Sequence, residues 1–242
     1  MPFKEQLIAN AVKAMAKKSR LKRKVRSSIP AAHARSRSRP VRILVTGFGP
    51  FPGAPDNPTG PLVRALGRKR WSGATVKSHV FATRYNTVDR ALPRLLKTFE
   101  PDAIVMFGLA TRSRAIRVET LARNRISHYP DAGGFTRGPC AIEATAARTL
   151  AVRAPTAGLL RAVKRAGLPA RLSRNAGDYL CNYILWHATR ASETHGVELS
   201  AFIHVPEPSL RITPDALLAA GEAIIETTIA TLRRKRRQPV HQ

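Results

Sequence analysis

The chain has few acids, few cysteines, few aromatic rings and no long apolar run, and each shortage closes off a class of protein. Only 15 Asp and Glu face 42 Lys and Arg, which leaves a formal charge of +27. Its two cysteines, Cys140 and Cys181, lie far apart with no CxxC pair and no secretory apolar region. That pattern argues against a disulfide scaffold and for a reducing, cytoplasmic compartment. No apolar run approaches the roughly 18 residues of a membrane span, so a soluble protein is expected. Aromatics make up 6% of residues, and the basic residues after Pro40 are scattered rather than interleaved with rings. No nucleic-acid-binding motif accompanies them. A phosphate loop is also disfavoured, because GFGPFPG lacks the GK[ST] ending and its prolines remove N–H donors.

What is present falls into two parts. Up to Pro40 there are 12 Lys and Arg against the single acid Glu5, and thereafter 30 against 14. Leu7, Ile8, Val12, Met15 and Ala16 keep helical spacing beside Lys4, Lys13, Lys17 and Lys18, before the Ser/Arg-rich SSIPAAHARSRSRP. Residues 1–40 therefore read as a basic, flexible extension able to make non-specific contact with a polyanion such as nucleic acid, or as a targeting segment. Residues 41–242 read as one domain, and 43% hydrophobic composition is enough for a sizeable core.

Strand and helix patterns alternate through that domain. VRILVT is a buried strand, followed by a loop of glycines and prolines that carries Phe48 and Phe51. ATVKSHVFAT alternates as a strand, YNTVDRALPRLLKTFE as a surface helix and DAIVMFGLA as a buried strand. RAIRVETLARN is a short strand with Glu119 directly after Val118; ARTLAV is a strand, PTAGLLRAVKRAG a helix stopped by Gly167, and ARLSRN a strand. Thr213-Pro214 opens a last helix. The expectation is an α/β fold, a three-layer α/β/α sandwich around a mostly parallel twisted sheet. The carboxyl ends of its strands would gather Phe48, Phe51, Glu119 and His204 on one side. The two rings either line a small apolar pocket there or plug the core beneath the loop.

The chemistry centres on AGDYLCNYILWH. Ala176-Gly177 breaks the chain, Asp178 is a suitable N-cap, and Cys181 falls in the first helical turn. Unpaired N–H groups and the helix dipole favour a thiolate at such a place. AFIHVPEP then sets His204 at a strand end. A thiol nucleophile needs a base and later acid, a group that orients the imidazole and donors for the oxyanion. Cys181, His204, Glu119 and the Cys181 backbone N–H are candidates for these roles; for Glu119 the alternative is an ordinary ion pair with an arginine.

Four blocks in order, ILVTGFGPFPGAPDNPT (43–59), RVE (117–119), AGDYLCNY (176–183) and FIHVPEP (202–208), resemble the pyroglutamyl-peptidase I family of cysteine peptidases. The resemblance spans essentially the whole chain after Pro40. It implies a Glu119–Cys181–His204 triad that removes an N-terminal pyroglutamyl residue from peptides, without metal or cofactor. It also implies a substrate pocket with Phe48 and Phe51 as walls, Asn57 as a polar contact, and Leu109 and Leu180 nearby. The implied partners are N-terminally pyroglutamylated peptides, and a homo-oligomer is compatible with them. A pyroglutamyl group is an uncharged lactam, so two aromatic walls and a few hydrogen bonds suffice, and a site that pairs the lactam carbonyl rejects proline.

The chain departs from the family pattern at two places. GLATRS stands where the family reads GQAGGR, which puts Leu109 at a pocket position and raises the alternative of a shifted acyl specificity. ETLARN and HYPDAG replace ERVAIN and an Arg-Ile-Pro-Asp-Asn stretch, so that Asn124 fits while the arginine is replaced by His128 or shifted to Arg125.

Overall fold

Short apolar runs and amphipathic stretches alternate along the chain, and a computed structural model, which describes residues 39–238, gives them bounds. The first half contains β1 (Val41–Phe48), α1 (Thr59–Arg68), β2 (Ala74–Phe81), α2 (Tyr85–Phe99), β3 (Ala103–Leu109), β4 (Ile116–Glu119) and β5 (Leu121–Arg123). The second half contains β6 (Thr149–Ala151), α3 (Thr156–Arg165), β7 (Ala170–Ser173), α4 (Leu180–Thr194), β8 (Leu199–Val205) and α5 (Pro214–Arg237). The basic segment before residue 39 lies outside the described residues, and so does the polyanion contact expected of it. Among the described residues no helix is long and apolar enough to cross a membrane.

Six strands form one sheet in the order β2-β1-β3-β8-β4-β7. The first four are mutually parallel, and β4 runs antiparallel to β8 with β7 parallel to β4. The fully buried runs β3 and β8 take central places, as continuous apolar strands do when both faces of a sheet are covered. One face packs against α1, α3 and α5 through Leu62, Leu66, Leu159, Val163, Ile224 and Ile225. The other packs against α2 and α4 through Val88, Leu92, Leu95, Ile184, Leu185 and Trp186. Each such side chain contributes about 1.5–3 kcal/mol on leaving water. The last helix starts as expected: Pro214 is its first residue, and the Thr213 hydroxyl accepts the Ala216 N–H at 3.1 Å.

The strand expected in ARTLAV is present as β6, which pairs antiparallel with β5 in a separate two-stranded ribbon. One expectation is corrected: the strand ends do not all gather on one side, because reversal of β4 turns its carboxyl end away from that of β8. Glu119 therefore meets His204 across an antiparallel pair, not along a common edge.

The fold also contains a buried charge cluster. Asp102, fully buried at the start of β3, takes the Arg42 N–H at 2.8 Å, ion-pairs with Arg236 of α5 at 2.7 Å and contacts Arg39. Removing its carboxylate leaves two largely buried guanidinium groups unpaired. Asp102→Ala is expected to lower unfolding free energy by about 3 kcal/mol, read as a drop in urea midpoint at unchanged m-value.

Candidate active site

The register of β4 against β8 builds the core of the site. Arg117 lies opposite His204 and Glu119 opposite Phe202. Side chains alternate along a strand, so these four share one face, the face that α4 covers. Gly108 of β3 sits beside His204 from the other side. His204 Nδ1 is 2.8 Å from Glu119 Oε1, and both residues are buried. The polar contacts of His204, to Glu119 and Arg117, are both made through Nδ1. The Phe202 ring packs beside the imidazole at 4.8 Å between centroids.

The thiol comes from α4. Gly177 takes φ +81°, a left-handed conformation that suits glycine, and Tyr179 is the extended residue from which the helix starts. Asp178 is thus not the cap: its carbonyl accepts the Ser127 N–H at 2.7 Å, and its carboxylate lies 3.7 Å from Arg125. Cys181 is the second helical residue. The next residue, buried Asn182, accepts the Arg123 N–H at 2.8 Å and donates to the carbonyls of Arg123 and Arg125 at 2.7 and 3.0 Å. Those three bonds clamp the start of α4 against β5.

The lack of a side chain at Gly108 makes room for the nucleophile. A Cβ there would fall 2.8 Å from Cys181 Sγ and 2.6 Å from the Phe202 ring, both inside van der Waals contact. The thiol therefore rests over the glycine that neighbours His204. No hydrogen bond joins Sγ to His204; catalytic contacts are often long before substrate binds. The half-buried thiol nonetheless feels the charges of Glu119 and Arg117.

Protonation at rest follows from these surroundings. Burial works to raise the Glu119 carboxyl, but the hydrogen bond to His204, the Ser173 hydroxyl on β7, and the charges of His204 and Arg117 outweigh it and hold the group below its ordinary value. Burial lowers His204; Glu119 opposes this and Arg117 adds to it, leaving the imidazole below its ordinary value. Burial, followed by the charge of Glu119, pushes the Cys181 thiol up to about 12, although its own backbone N–H and Arg117 work the other way. Burial and Glu119 thus work against the thiolate that the helix terminus favours, in the direction of a thiol beside a neutral imidazole at rest.

The remaining candidates are placed as follows. Phe48 ends β1 in the core under α2 and α4, 6.1 Å from the Phe81 ring, which is the core-plugging alternative. Phe51 is half-buried on the loop and bridges Ala54. Asn57 holds that loop: its Oδ1 accepts the Thr59 N–H at 3.1 Å and its Nδ2 donates to the Gly49 carbonyl at 3.0 Å. Leu180 is buried in the core next to the thiol. Leu109 differs from expectation. Its register partner Val205 packs in the opposite layer, so alternation turns the Leu109 side chain away from Cys181, and only its backbone stays at the strand end.

Four residues given no role in the sequence organise the site. Gly108 makes space and Asn182 clamps the helix. Asp131 accepts the N–H groups of Tyr85, Gly133 and Phe135 at 3.0, 2.8 and 3.2 Å, tying loop 127–138 to the start of α2. Arg117 touches both His204 and Glu119. A signal existed for Arg117, which stands two residues before Glu119 on a strand and so shares its face.

A family model described as "Pyroglutamyl peptidase" matches residues 41–234. A pyrrolidone-carboxylate peptidase of Thermococcus litoralis is 32% identical over 179 residues, covering 73% of this chain and 79% of that protein. Pyrrolidone-carboxylate peptidase 1 of Ralstonia nicotianae is 29% identical over 200 residues, 77% of this chain and 92% of its own. The solved structure of pyrrolidone carboxyl peptidase from Thermococcus litoralis superposes with a TM-score of 0.77 at 27% identity, covering 83% of this chain and all of that one.

Proposed function

Since the chain belongs to the pyroglutamyl peptidase family, we propose that it is a cysteine omega-peptidase, hydrolysing the amide bond after an N-terminal pyroglutamyl residue through a thioacyl-enzyme. The observation that carries this reading is the 2.8 Å contact between His204 Nδ1 and Glu119 Oε1, on the face to which the first turn of α4 brings Cys181. Glu119 accepts a hydrogen bond from Nδ1–H, which leaves Nε2 as the basic nitrogen. His204 takes the thiol proton as Sγ attacks the pyroglutamyl carbonyl, and the oxyanion forms beside the Cys181 N–H at the helix terminus. The imidazolium then protonates the amide nitrogen, the C–N bond breaks and the shortened peptide leaves. Water, deprotonated by His204, attacks the thioester, and pyroglutamate departs as the thiol is restored. These steps use only the side chains named and water. The case for a shifted acyl specificity rested on Leu109, and it weakens because that side chain faces the other layer.

The test is release of the chromophore from a pyroglutamyl anilide, with the prolyl anilide beside it. Turnover of the first and not the second is expected; hydrolysis of neither, by folded protein, defeats the proposal. The pH profile supplies a further check. His204 must be neutral to act as base, and its surroundings hold it below the ordinary histidine value of 6.5. The acid limb of kcat/KM is therefore expected below pH 6.5. Glu119 stays ionised through that range, and the thiol, held at about 12, brings no titration between pH 7 and 9. An acid limb above pH 7 would contradict this.

A further inference from the structure

Arg117 makes two contacts with the pair that the mechanism uses. Its Nη2 lies 3.1 Å from His204 Nδ1 and its Nε lies 3.3 Å from Glu119 Oε1, while that same oxygen is 2.8 Å from Nδ1. Three groups therefore meet around one nitrogen that carries at most one proton. If Nδ1 donates to Glu119, it has no lone pair for the guanidinium, whose approach is then purely electrostatic. If Arg117 instead donates to Nδ1, a lone pair faces a carboxylate oxygen at 2.8 Å, and Nε2 holds the proton and cannot serve as base. Repulsion rejects the second arrangement. Arg117 thus acts on the imidazole through its charge and on the carboxylate through contact.

We propose, building on the peptidase reading, that Arg117 is a positioning residue of the catalytic centre. It lies against the same Glu119 oxygen that His204 contacts, holding that carboxylate beside the imidazole, and sets the charge balance that keeps the imidazole uncharged until it accepts the thiol proton. Arginine suits this place because its guanidinium stays charged throughout the working pH range. The other groups facing His204 are few. β4 supplies Glu119 and Arg117, β8 itself supplies Phe202, α4 supplies Cys181, and β3 presents only Gly108. The other arginine on these elements, Arg190 of α4, is engaged by Glu143 and Glu193 and does not replace Arg117. Its charge weakens His204 as a base and strengthens the imidazolium as an acid. The step it favours is protonation of the departing amine, the harder requirement for an amide. The same field lowers the thiol, against burial and Glu119.

The experiment compares wild type, Arg117→Met and Arg117→Lys as full chains. His204 is titrated by nitrogen NMR on histidine-labelled protein, and kcat/KM is followed from pH 5 to 8. The Met variant is expected to protonate His204 at higher pH. The ratio of kcat/KM at pH 8 to that at pH 5.5 should rise by roughly 10-fold, and the Lys variant should recover most of the wild-type behaviour. An unmoved His204 titration and acid limb in folded Arg117→Met overturn the proposal and leave Arg117 a structural counter-ion. If the Met variant does not fold, Arg117→Gln is read in its place. The NMR arm needs no turnover. An inactive wild type thus counts against the peptidase reading, while the titration still decides the role of Arg117.

Discussion

Cys181→Ser is expected to remove turnover of a pyroglutamyl anilide by roughly 10⁴-fold or more, with melting temperature and near-UV circular dichroism unchanged. The thiol is half-buried at a helix start held by Asn182 and by apolar packing of Leu180 and Ile184, none of which the sulfur itself supplies. A hydroxyl fits the same space. The loss reflects chemistry: a hydroxyl at that place is a far weaker nucleophile, and the imidazole beside it, lowered by burial and Arg117, is a modest base. Cys140 provides the control. It is exposed, donates to the Arg137 carbonyl at 3.3 Å and lies outside the site, so Cys140→Ser should keep full activity. Retained turnover in Cys181→Ser would remove the nucleophile from the account.

The second large effect is expected from a single methyl group. Gly108→Ala sets a carbon against Cys181 Sγ and the Phe202 ring at once, at 2.8 and 2.6 Å, and both must move. The thiol can rotate away, but its new position is off the line to the substrate carbonyl, and Phe202 carries the strain toward His204, which it touches. Displacing a reacting group by about 1 Å costs on the order of 100-fold in rate, against an overpacking cost of about 1–3 kcal/mol in stability. A fall in kcat/KM of about 100-fold in protein that still unfolds cooperatively is the expected result. Wild-type turnover in Gly108→Ala would mean that the thiol does not rest over residue 108 when it reacts.

The layers and most elements were legible because they depend on local pattern. Continuous apolar runs gave the central strands, 3.6-residue spacing gave the helices, and Thr213-Pro214 marked the start of α5. The direction of β4 was not legible. A four-residue strand carries the same pattern whichever way it runs, and its orientation is set by the chain segments that lead in and out of it. That one reversal decides how Glu119 meets His204. The protonation state of Cys181 was likewise out of reach, since its place in a helical first turn is local but the burial and carboxylate that raise it come from distant segments. Leu109 marks an inference that alternation alone would have settled. If Gly108 faces the thiol, the next residue on the strand faces away, and whatever reaches the pocket from Leu109 is backbone.

Mass spectrometry of the stopped reaction tests the central claim most directly. Mixing the protein with a pyroglutamyl anilide and quenching in acid at short times traps the thioester if acylation outruns its hydrolysis; with an anilide whose leaving group departs readily, that condition is favoured. After proteolysis, the peptide that contains Cys181 is expected to carry one added pyroglutamyl acyl group, which disappears on treatment with hydroxylamine and never forms in Cys181→Ser. Turnover with the acyl group on another residue, or undiminished turnover in Cys181→Ser, would contradict the account.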